Sequence, residues 1–348
     1  MFVLRVQNVH EALHKGIRLL KQTGIREESR NGPVLRCPFP VATVYERPWE
    51  RVIFWPERDA NPFFHLYESL WMLAGRNDLK PLLRYVKTFN RFSDDGESLH
   101  GAYGERWWRN GQLRRIIEQL KKNPLDRRCV LQIWDTYDDM GVDSKDIPCN
   151  LTATFQIFEG KLNMVVFNRS NDIVWGAYGA NAVHFSMLLE YVARMVGVYQ
   201  GTYTQVSVNW HAYLDTFDKA EGIMYEELVD PYANSNPNLV VPVHIDCSPN
   251  VLESVVTQLL AEADGKYSVM GSKTYCWADM VRTMFQAHNT YSSRPAPERF
   301  QESLDCLASF PSPHGLRADW IVAGQEWIRR RYVAWQKKQD ASNNWFQQ

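Results

Sequence analysis

Residues 146–181 read DIPCNLTATFQIFEGKLNMVVFNRSNDIVWGAYGAN. Two runs rich in β-branched and aromatic residues, LTATFQIF and LNMVVF, flank a turn signal at Gly160, which predicts a β-hairpin. Cys149 follows Pro148 at the mouth of the first strand rather than within it. The second strand ends in a polar knot, Asn168-Arg169-Ser170-Asn171-Asp172. A strand apolar enough to be buried, ending in five polar residues with a thiol just upstream, suggests a place where chemistry is done.

Working outward, residues 8–22 predict a helix with Val9, Ala12, Leu13, Ile17 and Leu20 on one face. Residues 33–55 are interrupted by prolines and predict short strands. Asn61-Pro62 is a helix start, Asn as cap and Pro in the first turn, followed by FFHLYESLWMLAG. Residues 111–122 predict a helix, RRCVLQIWD (127–135) a strand, 181–196 a helix and GTYTQVSVNWHAY (201–213) a strand. After about residue 248 four helical patterns follow one another. The expected organisation is an α+β catalytic domain over residues 1–247, with a helical C-terminal extension over 248–348.

The bulk numbers exclude several classes. The chain has 348 residues, 23% charged, with a net charge of -1, which gives no basic excess for direct nucleic-acid binding. No run of about 18 apolar residues suggests a membrane span, and the N-terminus does not look like a signal peptide. The six cysteines, at 37, 129, 149, 247, 276 and 306, are dispersed singly. That pattern suggests reduced thiols in a cytoplasmic protein and no metal site.

Several residues are candidates for chemistry, each with a plainer alternative. Cys149 is a nucleophile if nearby arginines lower its pKa, and otherwise a small buried apolar residue. Arg169-Ser170 offers a planar fork and a hydroxyl suited to phosphate, or a solvated strand end. Arg127-Arg128 is a second cationic pair, or a loop. Glu68 shares a helical face with Phe64 and Trp71, where a carboxylate shielded from water suits proton transfer; alternatively it sits at the stripe's edge. Asn171, Asp172 and Asn181 either cap and turn the chain or form a hydrogen-bonding edge for a planar heterocycle. His211 and Tyr213 alternate on a strand and so face one side; the plainer alternative is a core tyrosine with a satisfied hydroxyl.

In this order the residues resemble the thymidylate synthase superfamily, closest to its pyrimidine deoxynucleotide hydroxymethylases. The resemblance runs over roughly residues 28–220. It rests on SRNGPVL with Arg30, YESLWMLAG with Glu68, LHGAYGERWW with Tyr103, the pair Arg127-Arg128, Pro148-Cys149, Arg169-Ser170-Asn171-Asp172 with Gly176, Asn181, and His211-Ala212-Tyr213. It implies a thymidylate synthase-like fold whose large mixed sheet forms a homodimer interface, flanked by helices. It implies Cys149 as the nucleophile at C6 of a pyrimidine deoxynucleoside monophosphate, with Glu68, Asp172 and Tyr103 as further catalytic groups. Arg30, Arg169, Ser170 and the partner's Arg127 and Arg128 would hold phosphate. Asn171 and Asn181 would face the base, His211 and Tyr213 the sugar 3′-hydroxyl. Phe89, Asp172 and Gly176 would line the site of 5,10-methylenetetrahydrofolate.

The resemblance leaves two fates for the C5 methylene: hydride gives thymidylate, water gives a hydroxymethyl group. Phe89 and Phe92 stand where synthases usually have tryptophans, Asn150 where they have histidine, and Asn168 where they have glutamine. One residue is inserted between Gly176 and Asn181, and QKKQDASNNWFQQ (336–348) does not resemble the synthase closing peptide. These departures favour water, hence hydroxymethylation, and Asn181 favours dUMP over dCMP, because an amide can pair with the O4/N3–H edge of uracil. Thymidylate synthesis and a catalytically inactive nucleotide-binding protein are the alternatives. A phage-encoded enzyme acting in host cytoplasm fits the hydroxymethylase resemblance.

Overall fold

In the computed structural model, which describes residues 1–266, 276–311 and 316–345, the expected hairpin forms part of a mixed sheet, next to its β5 edge. The strands are β1 (Phe2–Val6), β2 (Ile25–Ser29), β3 (Gly32–Arg36), β4 (Val41–Tyr45), β5 (Val130–Gln132), β6 (Asn150–Phe158), β7 (Lys161–Asp172) and β8 (Tyr199–Tyr213). Among the described residues they form one eight-stranded sheet ordered β1-β4-β8-β7-β6-β5, with β3 pairing β8 and β2 pairing β3. The β1/β4 and β7/β8 pairs are parallel. The β6–β7 turn has Glu159 at φ 49° and Gly160 at φ 71° between the paired Phe158 and Lys161. Two residues with positive φ match the twist of the flanking strands, which is why glycine occupies the second position.

The helices of the body are α1 (Val9–Thr23), α2 (Pro62–Leu73), α3 (Tyr103–Trp108), α4 (Gln112–Lys122), α5 (Thr136–Asp139), α6 (Asn181–Val196) and α7 (Leu214–Ala220). Asn8 caps α1 by accepting from Glu11 N, and Asn61 caps α2 by accepting from Phe64 N. Between β7 and α6, residues 173–180 form a helical segment capped by Asp172 and kinked at Tyr178 and Gly179, whose backbone angles are not helical.

The C-terminal helices are α8 (Pro249–Ala263), α9 (Cys276–Ser293), α10 (Glu298–Ala308) and α11 (Asp319–Trp345). Two-residue strands β9 (Val240–Val241) and β10 (Arg317–Ala318) pair in parallel and tie the two regions together. These helices pack on α2: Phe63 meets Trp327 edge-on at 5.5 Å, and the Tyr67 hydroxyl donates to Asp264 at 2.8 Å. The main core cluster runs from α1 to α11, with a second, small one of Tyr232, Val240 and Val322. Every residue of α2 is buried, Glu68 included, with the extension packed against it. The segment from residue 336, which does not resemble the synthase closing peptide, continues as helix α11 to Trp345, and residues 346–348 lie outside the described residues.

On the opposite side of the sheet, no such layer among the described residues covers β5 to β8. Val130, Phe167 and Val208, which the strand register puts on one face, are exposed.

Candidate active site

The β7/β8 register brings the polar knot against His211 and Tyr213: Ser170 pairs Asn209, Asn171 pairs Trp210 and Asp172 pairs His211. The β3/β8 pairing then sets Val34 opposite Tyr213. That places the β2–β3 turn holding Arg30 beside the same strand end, and Asn31 Nδ2 donates to the Tyr213 hydroxyl at 3.4 Å. His211 and Tyr213 stand edge to face, ring centroids 5.5 Å apart.

Cys149 lies just before β6 and is half-buried. The Arg169 guanidinium holds its approach: Nε donates to the Pro148 carbonyl at 2.9 Å and Nη2 to the Ile147 carbonyl at 3.0 Å. The Arg169 amide also donates to the Cys149 carbonyl at 2.9 Å. The expectation that arginines lower the thiol's pKa is corrected. Burial pushes the Cys149 thiol up, and the opposing pull of Arg169 and Arg30 does not overcome it. Tyr103 faces the Cys149 backbone and the Asn150 side chain. Burial, with Cys149 and Asp146 nearby, pushes its hydroxyl up, so it stays protonated as a donor. Asp146 accepts from Gly101 N at 2.8 Å and so ties the Tyr103 segment to the cysteine turn.

Glu68, buried on α2, lies 3.1 Å from His184 Nε2 of α6. Asp172 Oδ1 accepts from Val174 N at 2.8 Å and Trp175 N at 2.6 Å, and Oδ2 from Tyr213 N at 3.2 Å. Burial pushes its carboxyl up and the neighbouring His211 imidazole down, so each favours its neutral form. Asp172 thus fulfils the capping alternative, while Oδ2 keeps a lone pair for a further donor.

Asn171 needs a correction. Its side chain does not form an edge for a base. It is buried, its Nδ2 donates to Gln205 Oε1 and to Ser207 Oγ at 3.0 Å each, and its Oδ1 accepts from Asn181 Nδ2 at 3.0 Å. Both amide hydrogens are engaged inside the protein. Gly176 lies directly over this pair: a Cβ there would sit 2.6 Å from Asn171 Oδ1 and 3.3 Å from Asn181 Nδ2. Asn181 in turn accepts from Asn150 Nδ2 at 3.2 Å.

Two expected groups stand apart. Arg127 and Arg128, just before β5, are both exposed. Arg128 is clamped on its own chain by Asp126 at 2.6 Å, and Arg127 has no partner among the described residues. Phe89 is half-buried and packs on Phe64 and Phe92 at 5.4 and 5.3 Å. Among the described residues no cluster of metal-ligating side chains occurs, and all six cysteines are free.

The sequence reading passed over His184, Asn150 and Gln205 as site residues. His184 is three positions after Asn181 on one helix face, a spacing that could have flagged it. Gln205 alternates with Tyr203 and Ser207 on the inward face of β8, so a polar residue at a core position was visible.

The thymidylate synthase profile matches residues 57–244. The deoxyuridylate hydroxymethyltransferase of Pseudomonas phage M6 is 45% identical over 351 residues, covering 97% of each chain. That of Bacillus phage SP01 is 42% identical over 192 residues, 51% of this chain and 50% of the relative. The crystal structure of thymidylate synthase from T4 phage superposes with a TM-score of 0.51 at 20% identity, over 62% of this chain and 81% of that one, a likeness of fold.

Proposed function

The chain belongs to the thymidylate synthase family, a one-carbon-transferring enzyme close to its hydroxymethylases, and from that premise we propose that it converts dUMP, in preference to dCMP, to the 5-hydroxymethyl nucleotide. The observation that carries the reading is the convergence of Cys149, Arg169, Tyr103 and the Asn150–Asn181 amide pair on one strand end. The likeness to a hydroxymethyltransferase across 97% of each chain supports water as the terminal reactant.

In this reading Cys149 Sγ bonds to C6 of the base, and the C5=C6 electron pair moves towards O4. Tyr103 and the amides stabilise charge there. Glu68, beside His184, exchanges protons at C5 and O4 through ordered water. Arg169, Arg30 and Ser170 take the phosphate, while His211 and Tyr213 take the 3′-hydroxyl. Arg169 and Arg30 pull the Cys149 thiol towards the thiolate, against the burial that pushes it up.

Methylenetetrahydrofolate, when bound, supplies the one-carbon unit. The residues present fit it: Phe89 keeps an open aromatic surface, and Asp172 Oδ2 keeps an acceptor site. Once C5 carries a methylene, water adds to it and C6–Sγ cleavage returns the electron pair to sulfur. The buried polar contacts among Asn150, Asn168 and Asn181 make a polar floor that suits water.

We further propose a homodimer, acting in the cytoplasm of a phage-infected host, formed through the open sheet face with Val130, Phe167 and Val208. Arg127 and Arg128 at the edge of that face would complete the partner's phosphate site. Arg127 is the freer of the two, because Arg128 must leave Asp126. The extension after residue 248 would be a buttress that holds α2, and with it Glu68, in place.

Incubation with methylenetetrahydrofolate and either dUMP or dCMP, with products identified by mass, tests the reading. Hydroxymethyl-dUMP without the absorbance change of dihydrofolate is expected, with Asn181→Asp shifting preference towards dCMP. Appearance of dTMP with stoichiometric dihydrofolate would overturn the hydroxymethylase assignment.

A further inference from the structure

The side chains beneath the candidate base site close into a ring. Asn168 Nδ2 donates to Asn150 Oδ1; Asn150 Nδ2 donates to Asn181 Oδ1 at 3.2 Å. Asn181 Nδ2 donates to Asn171 Oδ1 at 3.0 Å, and Asn171 Nδ2 donates to Ser207 Oγ at 3.0 Å. The Ser207 hydroxyl donates to Asn168 Oδ1 at 3.4 Å. All five residues are buried and every bond runs in the same sense.

Such a ring is satisfied equally well with every amide turned over, because a hydroxyl can donate or accept and an amide's two ends are nearly alike in shape. Something outside the ring must choose the sense. Gln205, also buried, does so. Its Oε1 accepts from Asn171 Nδ2 at 3.0 Å, and its Nε2 donates to the Ala177 carbonyl at 2.8 Å and the Tyr45 hydroxyl at 3.0 Å. A backbone carbonyl can only accept. Turning Gln205 over would bring two carbonyl oxygens together at that distance, an unpaired buried contact. With Gln205 fixed, Asn171 must donate to it, Asn171 Oδ1 must face Asn181, and Asn181 Oδ1 must face Asn150.

We propose that Gln205, anchored on the Ala177 carbonyl, is a positioning residue that fixes the donor and acceptor ends of the Asn181 amide and thereby the enzyme's choice between uracil and cytosine. The inference rests on the reading of Asn181 as the amide that meets the base. Uracil offers an acceptor at O4 beside a donor at N3, and cytosine offers the reverse at N4 and N3. An amide held in one sense matches one of these edges, whereas an amide free to turn matches both.

The test compares equilibrium binding of dUMP and of dCMP, without folate, to the full-length wild type and three variants, each checked for folding by thermal unfolding. Gln205→Met removes the anchor at similar volume, and the dUMP/dCMP affinity ratio should fall by about tenfold or more. Gln205→Glu should restore most of the ratio. In its protonated form, which burial favours, it donates to the Ala177 carbonyl and accepts from Asn171 as the amide did. Asn181→Asp should shift the ratio by itself. A wild-type ratio in folded Gln205→Met, with the ratio moved in Asn181→Asp, overturns the relay alone. An unmoved ratio in Asn181→Asp overturns both the relay and the base assignment. Neutron diffraction of the wild type needs no variant: deuterons on Asn181 directed at Asn171 Oδ1 support the relay, and the opposite sense overturns it.

Discussion

Gly176→Ala separates two explanations of that glycine, contact with folate and clearance for the amide pair. Its backbone conformation needs no positive φ, so the effect is steric. The new methyl carbon would stand 2.6 Å from Asn171 Oδ1, about 0.8 Å inside a normal contact. A flexible side chain could give way. Asn171 cannot do so freely, because its Nδ2 is held by Gln205 and Ser207 and its Oδ1 by Asn181. Overpacking of this kind costs about 1–3 kcal/mol. Removing a helical glycine returns about 0.4–1 kcal/mol through the unfolded chain. The net stability change is therefore small, and for a chain of this size the melting temperature should move by only about 1–5 °C. Nucleotide affinity is the decisive reading. Displacing Asn171 Oδ1 strains the bond that orients Asn181, and a buried hydrogen bond lost or distorted is worth about 1–3 kcal/mol, or about 5- to 150-fold. Titration calorimetry with dUMP and no folate should show a loss in that range. Unchanged dUMP affinity, with only folate saturation impaired, would refute the clearance argument and return Gly176 to the folate site.

Cys149→Ala should abolish turnover while dUMP binding persists, measured by product formation and calorimetry; substantial residual turnover would remove Cys149 as nucleophile. Mixing inactive Cys149→Ala with Arg128→Ala subunits should regain activity if arginines cross the dimer, and no recovery after verified subunit exchange would count against sharing. Asp319, fully buried at the start of α11, has its carboxyl pushed by burial from 3.8 up to about 7. The folded state therefore holds a proton the unfolded chain releases, so stability is greatest below about pH 4 from this group and falls as pH rises towards 7. The loss is on the order of 4 kcal/mol. Asp319→Asn should flatten that slope relative to wild type in urea midpoints at pH 5 and pH 8, and an unchanged slope would show that the carboxyl is not raised.

The local rules of the chain were enough for most elements. Asn61 announces the helix it caps, and the turn residue Gly160 announces the hairpin, because capping and positive φ are properties of a few adjacent residues. The order of Cys149, Arg169 to Asp172, Asn181 and His211-Ala212-Tyr213 was legible for the same reason: one hairpin, one turn and one helix carry most of it. Contacts between distant segments were not legible. The extension, some 200 residues later, packs on α2 and helps to bury all of it. The thiol of Cys149 looked activated by nearby arginines in sequence, but its pKa depends on exclusion of water, and here burial outweighs both charges. Asn171 looked like a ligand because an amide's chemistry is the same wherever it points. Only the pairing of β7 with β8 brings Gln205 and Ser207 to its nitrogen and turns it inward. Residue type and spacing determine which groups are present and on which element. The direction of a hydrogen bond and the loss of water around a charge belong to the assembled sheet and its cover, since both depend on neighbours that sequence distance does not reveal.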